Sequence, residues 1–131
     1  MTSASRSASQ RLRIVVLGYL VRGPMGGMAW HHLPIVDVRP PGEPFERQWQ
    51  EVGPTLRLAL RSGGKLVVHC RGGLGRAGTV AARLLVELGT APSDALSRVR
   101  AVRPGAIQTR AQQEYVMKTR PASASSGVEV E

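Results

Sequence analysis

The sequence predicts an α/β domain with a small central sheet flanked by helices. Two short apolar runs fit buried strands, namely RIVVLGYLV at 13–21 and KLVVH at 65–69. The second run leads directly into a glycine-rich loop and then into an amphipathic segment, in the order strand, loop, helix. Strands that alternate with helices in this way are typical of α/β domains.

Helical spacing of apolar residues predicts the helices on either side of the glycine loop. Apolar residues recur every three or four positions from Phe45 to Arg61, which predicts a helix, and Pro54 is expected to kink it. After the glycine loop a second helix is indicated by Val80, Leu84, Leu85 and Leu88. Gly89 directly after this run is a natural terminator, because glycine tolerates the left-handed conformation in which helices often end.

Two more helices are predicted from their end signals. Pro92 stands near the start of one helix, and Pro104 with Gly105 ends it. Thr109 is a good N-cap residue, and the helix that it begins is expected to continue to about Lys118.

Composition separates one domain from two tails. Residues 1–12 and 119–131 are poor in core-forming residues and have no periodicity, so both are expected to be disordered. Residues 13–118 are expected to form a single domain, which is long enough for one small core.

Cysteine usage and charge narrow the class of protein. The only cysteine, Cys70, allows no internal disulfide, which fits a cytoplasmic protein. No stretch has the apolar length of a membrane span, and the N-terminus lacks a secretion signal. We therefore expect no membrane partner. The net charge of +9 comes from scattered arginines with few aromatics between them, so we expect no nucleic-acid partner either. The charge still favours anionic substrates.

The glycine loop permits three interpretations, of which the first is a nucleotide site. Residues 73–78 match G-x-G-x-x-G, but a dinucleotide site also needs an acidic residue at the end of a second strand. Asp94 has the right offset but opens a helix, and Arg76 stands where an ATPase loop would need Gly-Lys-Ser/Thr. The second interpretation is a structural turn with Cys70 as a small buried hydrophobe.

The spacing His69-Cys70-x5-Arg76 favours the third interpretation, a phosphate-binding loop with a nucleophile at its base. Successive backbone amides after Cys70 can curl around one point at the N-terminus of the next helix, which favours an oxyanion and stabilises a thiolate. Arg76 can hold two phosphate oxygens with its planar guanidinium. The loop therefore predicts phosphoryl transfer to sulfur.

Three segments carry a resemblance to a known family. VHCRGGLGRAG resembles the H-C-x5-R signature of the protein tyrosine and dual-specificity phosphatase superfamily, WHHLPIVDVRPP its acid-bearing loop, and RPGAIQTRAQQEYV its glutamine loop. From about Trp30 to Val116 the chain is similar to the cyclin-dependent-kinase-associated phosphatases and their bacterial relatives. The resemblance implies a phosphatase-like core, a phosphoprotein or other phosphomonoester substrate, no cofactor and a monomer.

The resemblance implies a role for each residue of the site. Cys70 would be the nucleophile that forms a thiophosphate, and Asp37 would protonate the leaving oxygen and later deprotonate water. Arg76 would bind phosphate and stabilise the transition state. The backbone amides that would help to bind the phosphate are those from Arg71 to Arg76, namely Arg71, Gly72, Gly73, Leu74, Gly75 and Arg76.

Further residues would support these groups, and each has a simpler alternative. His69 would support the thiolate, and Gln108 and Gln112 would position the attacking water. Gln108 can instead cap the last helix together with Thr109, and Asp37 can be a turn former before Pro40 and Pro41. A zinc site of His31, His32 and Cys70 is rejected, since adjacent histidines on a strand point apart.

Two departures from the family pattern keep a second function open. Ala77 stands where the superfamily usually has a Ser or Thr whose hydroxyl supports the departing thiolate, and nearby Thr79 is the alternative source of that hydroxyl. Residues 1–29 supply less strand and helix than the family has before its acid loop, so we expect either a minimal, N-terminally shortened form or a chain whose start lies upstream. The alternative to a phosphatase is a catalytically weak module that binds phosphorylated partners.

Overall fold

Two parallel strands and four helices make up the described part of the chain. The computed structural model describes residues 13–17, 33, 35, 40–69 and 75–122, with the backbone alone for 13–17, 65 and 69. The elements, in chain order, are β1 (Arg13–Leu17), α1 (Glu43–Arg61), β2 (Lys65–His69), α2 (Gly75–Glu87), α3 (Pro92–Val102) and α4 (Arg110–Lys118). The predicted tail at 1–12 and positions 123–131 of the second tail lie outside the described residues.

The two strands pair in parallel, with Arg13 opposite Lys65 and Leu17 opposite His69. A parallel pair needs a crossover connection, and α1 lies within it. This arrangement confirms the α/β prediction. The first strand ends at Leu17 within the predicted run 13–21, whose last four positions lie outside the described residues.

Helix α1 presents its predicted apolar face to the interior. Pro44 stands in its first turn, and Phe45, Trp49 and Leu60 are buried. The helix continues through Pro54, whose side chain is exposed, so the proline does not end it. A proline on the solvent face costs a helix less than one facing the core, because water can bind the carbonyl that its missing N–H leaves unpaired.

Helix α2 is the centre of the packing. One cluster joins it to α3, α4 and the loop between them, and its members are Ala77, Ala81, Ala82, Leu85, Val86, Ala95, Leu96, Val99, Ala106, Ile107 and Val116. A second cluster joins its other face to α1, and consists of Phe45, Trp49, Leu60, Leu84 and Leu88. Because both faces of α2 are buried, the position of its N-terminus is fixed by the core.

The end signals read from the sequence are confirmed. Gly89 follows α2 with φ of 116°, where a side chain would be strained. Pro92 occupies the first turn of α3, and Thr109 is the N-cap of α4. Beyond α4, the backbone N–H of Ala122 donates to the carbonyl oxygen of Glu87 at 3.0 Å.

A buried ionic network joins three helices. Glu87 at the end of α2 accepts hydrogen bonds from Trp49, from Arg57 at 2.7 Å and from Arg83 at 2.8 Å. Arg83 also binds Glu46 of α1 at 2.8 Å and the Tyr115 hydroxyl of α4. The three elements α1, α2 and α4 are therefore connected by charge as well as by apolar packing.

The network shifts the pKa of two of its members. Burial raises the pKa of Tyr115, and the hydrogen bond that its hydroxyl donates to Glu46 raises it further, against the opposing charge of Arg83. Burial alone would lower the pKa of Arg83, but its hydrogen bond to Glu87 and its other interactions with Tyr115 and Glu46 outweigh burial and raise it. Tyr115 is therefore a neutral donor to Glu46 at physiological pH.

None of the helices in the described part of the chain combines the length and apolar character that a membrane span requires.

Candidate active site

The candidate site lies where β2 ends and α2 begins. The described backbone leaves β2 at His69 and resumes at Gly75, the first residue of α2. Cys70 and residues 71–74 lie outside the described residues, as do Asp37 and the side chain of His69. The roles predicted for these residues remain predictions. The described residues of the site are therefore those on α2, Leu33 and Ile35, and those in the loop before α4 and its first turn.

The first turn of α2 carries an unusual charge for a helix N-terminus. It contains Arg76 and no acidic residue. The positive end of the helix dipole disfavours a cation there and favours an anion. An anion bound in front of α2 would offset both the dipole and the Arg76 charge, which is the arrangement that phosphate-binding helix N-termini use.

Arg76 is tied to the segment that carries the predicted acid. Its Nη1 donates a hydrogen bond to the Ile35 carbonyl oxygen at 3.2 Å. Ile35 stands two positions before Asp37 and is partly buried against the α1 side of the core, as is Leu33. The backbone carbonyl of Ile35 therefore lies beside the N-terminal turn of α2.

The two predicted glutamines meet at the first residue of α2. A Cβ placed on Gly75 would lie 2.7 Å from the Oε1 atoms of both Gln108 and Gln112. Such an approach is possible only at a glycine, because real Cβ contacts are longer. The structure thus brings together Gly75, Gln108 and Gln112, and the water-positioning role of the two glutamines remains a prediction.

Gln112 also forms the cap of α4. Its backbone N–H donates to Thr109 Oγ1 at 3.1 Å, and its Oε1 accepts from the backbone N–H groups of Gln108 and Thr109 at 2.9 and 3.1 Å. This reciprocal pair is a capping box. The alternative in which Gln108 caps the helix together with Thr109 is wrong, since the residue that pairs with Thr109 in the capping box is the fully buried Gln112.

The hydroxyl of Thr79 is used within its own helix. Thr79 is fully buried, and its Oγ1 donates to the Gly75 carbonyl oxygen at 2.6 Å. Ala77, the residue at the usual Ser/Thr position, is also buried. The single hydroxyl proton of Thr79 is therefore committed to the backbone.

Sequence reasoning missed Arg100 on α3. Its Nε donates to the Ala106 carbonyl oxygen at 3.2 Å, and its Nη2 donates to the Ile107 carbonyl oxygen at 3.0 Å and to Gln113 Oε1 at 3.1 Å. The two carbonyl groups belong to the loop that carries Gln108, and Gln113 lies on α4. No sequence signal marks this arginine among the others, because its partners are backbone carbonyls set by the fold.

The described geometry defines an α/β domain in which the N-terminus of α2 lies next to Arg76, Gln108 and Gln112. The family model described as "PTP-SAK: Swiss Army Knife protein, DSP-PTPase phosphatase domain" matches residues 26–116. The chain belongs to this family of phosphatase domains.

Curated relatives support the same assignment. Cyclin-dependent kinase inhibitor 3 of Rattus norvegicus is 39% identical over 97 residues, which cover 72% of this chain and 44% of the relative. The Homo sapiens protein of that name is 38% identical over 97 residues, with the same coverage of this chain and of the relative. The chain therefore spans less than half the length of these relatives.

Solved structures show the same fold. Tk-PTP in its active form superposes with a TM-score of 0.60 and 30% identity, covering 88% of this chain and 81% of that one. Kinase associated phosphatase, solved with its catalytic-site cysteine replaced by serine, superposes with a TM-score of 0.56 and 37% identity over 66% of this chain and 48% of that one.

Proposed function

We propose that this protein hydrolyses phosphomonoesters, with phosphoproteins as the substrate class, through a thiophosphate on Cys70. Membership of a DSP-PTPase family supports the reaction class. The name kinase associated phosphatase, carried by a similar solved structure, supports a phosphoprotein substrate.

In the first step the Cys70 thiolate attacks phosphorus. A bond forms between Sγ and phosphorus as the bond from phosphorus to the ester oxygen breaks, and Asp37 as a carboxylic acid gives its proton to that oxygen. Arg76 and the amides of the glycine loop stabilise the charge on the equatorial oxygens. The products of this step are the free alcohol or phenol, the thiophosphate and the Asp37 carboxylate.

In the second step water attacks the thiophosphate. The Asp37 carboxylate takes a proton from the water as its oxygen bonds to phosphorus, and the bond from phosphorus to Sγ breaks. Phosphate leaves, and Cys70 returns as a thiolate. Gln108 and Gln112 hold the water in line, which is consistent with their convergence on Gly75.

One observation carries this proposal. Arg76 stands in the first turn of α2, bonded to the Ile35 carbonyl, while Gln108 and Gln112 lie against the preceding residue, Gly75. This arrangement supports the proposal, because Arg76, the Ile35 backbone and the two glutamines lie at the N-terminus of the helix that follows Cys70 in the sequence.

The test is hydrolysis of an aryl phosphate by wild type, Cys70→Ser and Arg76→Lys. We expect turnover by wild type alone, because serine is a far weaker nucleophile and a lysine cannot replace the planar guanidinium. Cys70→Ser should still bind vanadate, which stands in for the five-coordinate phosphoryl group. Turnover by Cys70→Ser above a few per cent of the wild-type rate would show that another group is the nucleophile.

A second candidate function is favoured by Ala77 and Thr79. With alanine at the Ser/Thr position and the Thr79 proton committed to Gly75, no hydroxyl on this turn of α2 has a proton free for the departing thiolate. A protein with slow thiophosphate breakdown would act mainly as a binder of phosphorylated partners. A phosphopeptide panel, measured for binding and for phosphate release in parallel, separates the two functions.

A further inference from the structure

The loop between α3 and α4 is held from outside by one arginine. The Arg100 guanidinium donates to two consecutive carbonyl oxygens, those of Ala106 and Ile107, and through Nη2 also to Gln113 of α4. A planar guanidinium can satisfy several acceptors in a fixed geometry, which a lysine cannot do. Arg100 therefore fixes the direction of the peptide groups that lead into Gln108.

The same loop is supported from inside by Gly78. A Cβ on Gly78 would lie 2.9 Å from Ala106 Cβ and 3.2 Å from the Ile107 nitrogen. Any larger residue would push the loop away from α2. Gly78 is the third glycine of the G-x-G-x-x-G pattern. Its lack of a side chain lets the loop pack closely against α2, and this packing explains the glycine without a bound nucleotide.

Ile107 shows that the loop conformation is imposed by these contacts. It has φ of 58°, in the left-handed region that β-branched residues rarely adopt, and its side chain is 2% exposed. Such a conformation persists only where the surroundings determine it. Arg100 on one side and Gly78 on the other are those surroundings.

The loop carries Gln108 directly and is bonded to Gln112 in the first turn of α4. Gln108 follows Ile107, and the Gln108 and Thr109 N–H groups both donate to Gln112 Oε1. A shift of the loop would therefore move both glutamine side chains relative to Gly75. We propose that Arg100 is a positioning residue for the second chemical step, fixing Gln108 and Gln112 over the thiophosphate; this inference rests on the proposed function.

The test uses Arg100→Met, which keeps an unbranched side chain and removes the donors. Arg100→Lys serves as the conservative variant, and Gly78→Ala displaces the same loop from the other side. Arg110→Gln is the charge control, because Arg110 is 90% exposed and lies on α4 outside the loop contacts. Melting temperatures show which variants fold.

The first readout separates the two chemical steps. Rapid mixing with an activated aryl phosphate gives a burst of phenol, which reports thiophosphate formation, and a steady rate, which reports its hydrolysis. In Arg100→Met and Gly78→Ala we expect the steady rate to fall about 10- to 100-fold, the effect of a small misplacement, while the burst rate stays within about twofold. Arg100→Lys should retain part of the steady rate, and Arg110→Gln all of it.

The second readout is competition by an alcohol for the thiophosphate. The alcohol oxygen bonds to phosphorus, the bond to Sγ breaks, and the Asp37 carboxylate takes the alcohol proton, giving an alkyl phosphate. When the water is held less well, an added alcohol such as glycerol should capture a larger share of the phosphoryl group. Equal loss of burst and steady rate with an unchanged alcohol share would mean that Arg100 is merely structural, and would overturn the proposal.

Hydrogen exchange tests the contact itself without any turnover. The Gln108 and Thr109 amide protons should exchange faster in Arg100→Met than in wild type, whereas amides in the middle of α2 should not change. Unchanged exchange at Gln108 and Thr109 would refute the positioning role whatever the kinetics. A wild-type protein with neither burst nor turnover would instead refute the proposed function, and the catalytic part of this inference with it.

Discussion

The indole Nε1 of Trp49 donates to both carboxylate oxygens of Glu87, at 3.0 and 3.2 Å. The same carboxylate accepts from Arg57 and Arg83, and Arg83 stacks over the Trp49 ring at 4.8 Å. The charge on Glu87 is therefore neutralised by two arginines while only 8% of its side chain is exposed. A carboxylate this deep in the protein is tolerated only because every donor is in place.

Removing Glu87 should destabilise the fold strongly. Glu87→Ala leaves Arg57, Arg83 and the Trp49 N–H without their shared acceptor, and breaking a buried pair in this way costs about 3–5 kcal/mol. Urea unfolding followed by tryptophan fluorescence measures the loss. Glu114→Ala is the control, since its pair with Arg110 is exposed on both sides and should contribute less than about 1 kcal/mol. Equal effects of the two variants would contradict a stabilising role for the buried network.

Ala77→Ser should speed the second chemical step. The substitution adds one hydroxyl at the position where the superfamily supports its departing thiolate. We expect a larger steady rate relative to the burst of phenol, measured by rapid mixing with an aryl phosphate. A slower steady rate in Thr79→Val would show that Thr79 already supplies this support despite its bond to the Gly75 carbonyl.

Asp37→Asn should slow hydrolysis in proportion to how poor the leaving group is. A positioned proton donor typically contributes about 10²–10⁴-fold, so a phosphopeptide should lose that factor. An activated aryl phosphate should lose far less, since its phenolate leaves without a proton. Parallel rates on the two substrates measure the difference, and equal losses on both would exclude the acid role of Asp37.

If Cys70 is the nucleophile, peroxide should inactivate the protein through this residue. A thiolate stabilised by the loop amides oxidises to sulfenic acid, and further oxidation is irreversible. The sequence contains no second cysteine that could form an internal disulfide with it. Activity recovered with dithiothreitol should therefore fall as exposure lengthens. Full activity after peroxide and iodoacetamide at neutral pH would show that Cys70 is not a reactive thiolate.

Local signals predicted the helix ends well. The positive φ at position 89 favours glycine, and the start of α4 needs a capping side chain, which Thr109 supplies. Both features depend only on residues within four positions along the chain. The stripe from Phe45 to Leu60 predicted a buried face because helical periodicity is itself local. The role that the resemblance implied for Gln108 and Gln112, positioning the attacking water, stays a prediction, although both side chains lie against Gly75.

Contacts between distant segments could not be predicted in this way. In the sequence, Glu87 is a charged residue in the last turn of a predicted helix. No neighbouring residue indicates that Trp49 and Arg57 will donate hydrogen bonds to it. Arg100 is likewise one arginine among many until the fold places the Ala106 carbonyl beside it. Spacing along the chain determines which side chains share a helix face, but the partner across the interface depends on how the helices pack.

The parallel pairing of β1 with β2 also bears on the order in which the site assembles. Arg13 meets Lys65 only after the crossover containing α1 has brought the two strands together, and such closure costs entropy before it yields contacts. Helices α2 to α4 follow one another closely in sequence and can associate without it. We therefore expect the helical half to form first in folding. The end of β2, from which the chain continues into Cys70, would then be fixed late, so a slow refolding phase should coincide with the recovery of vanadate binding.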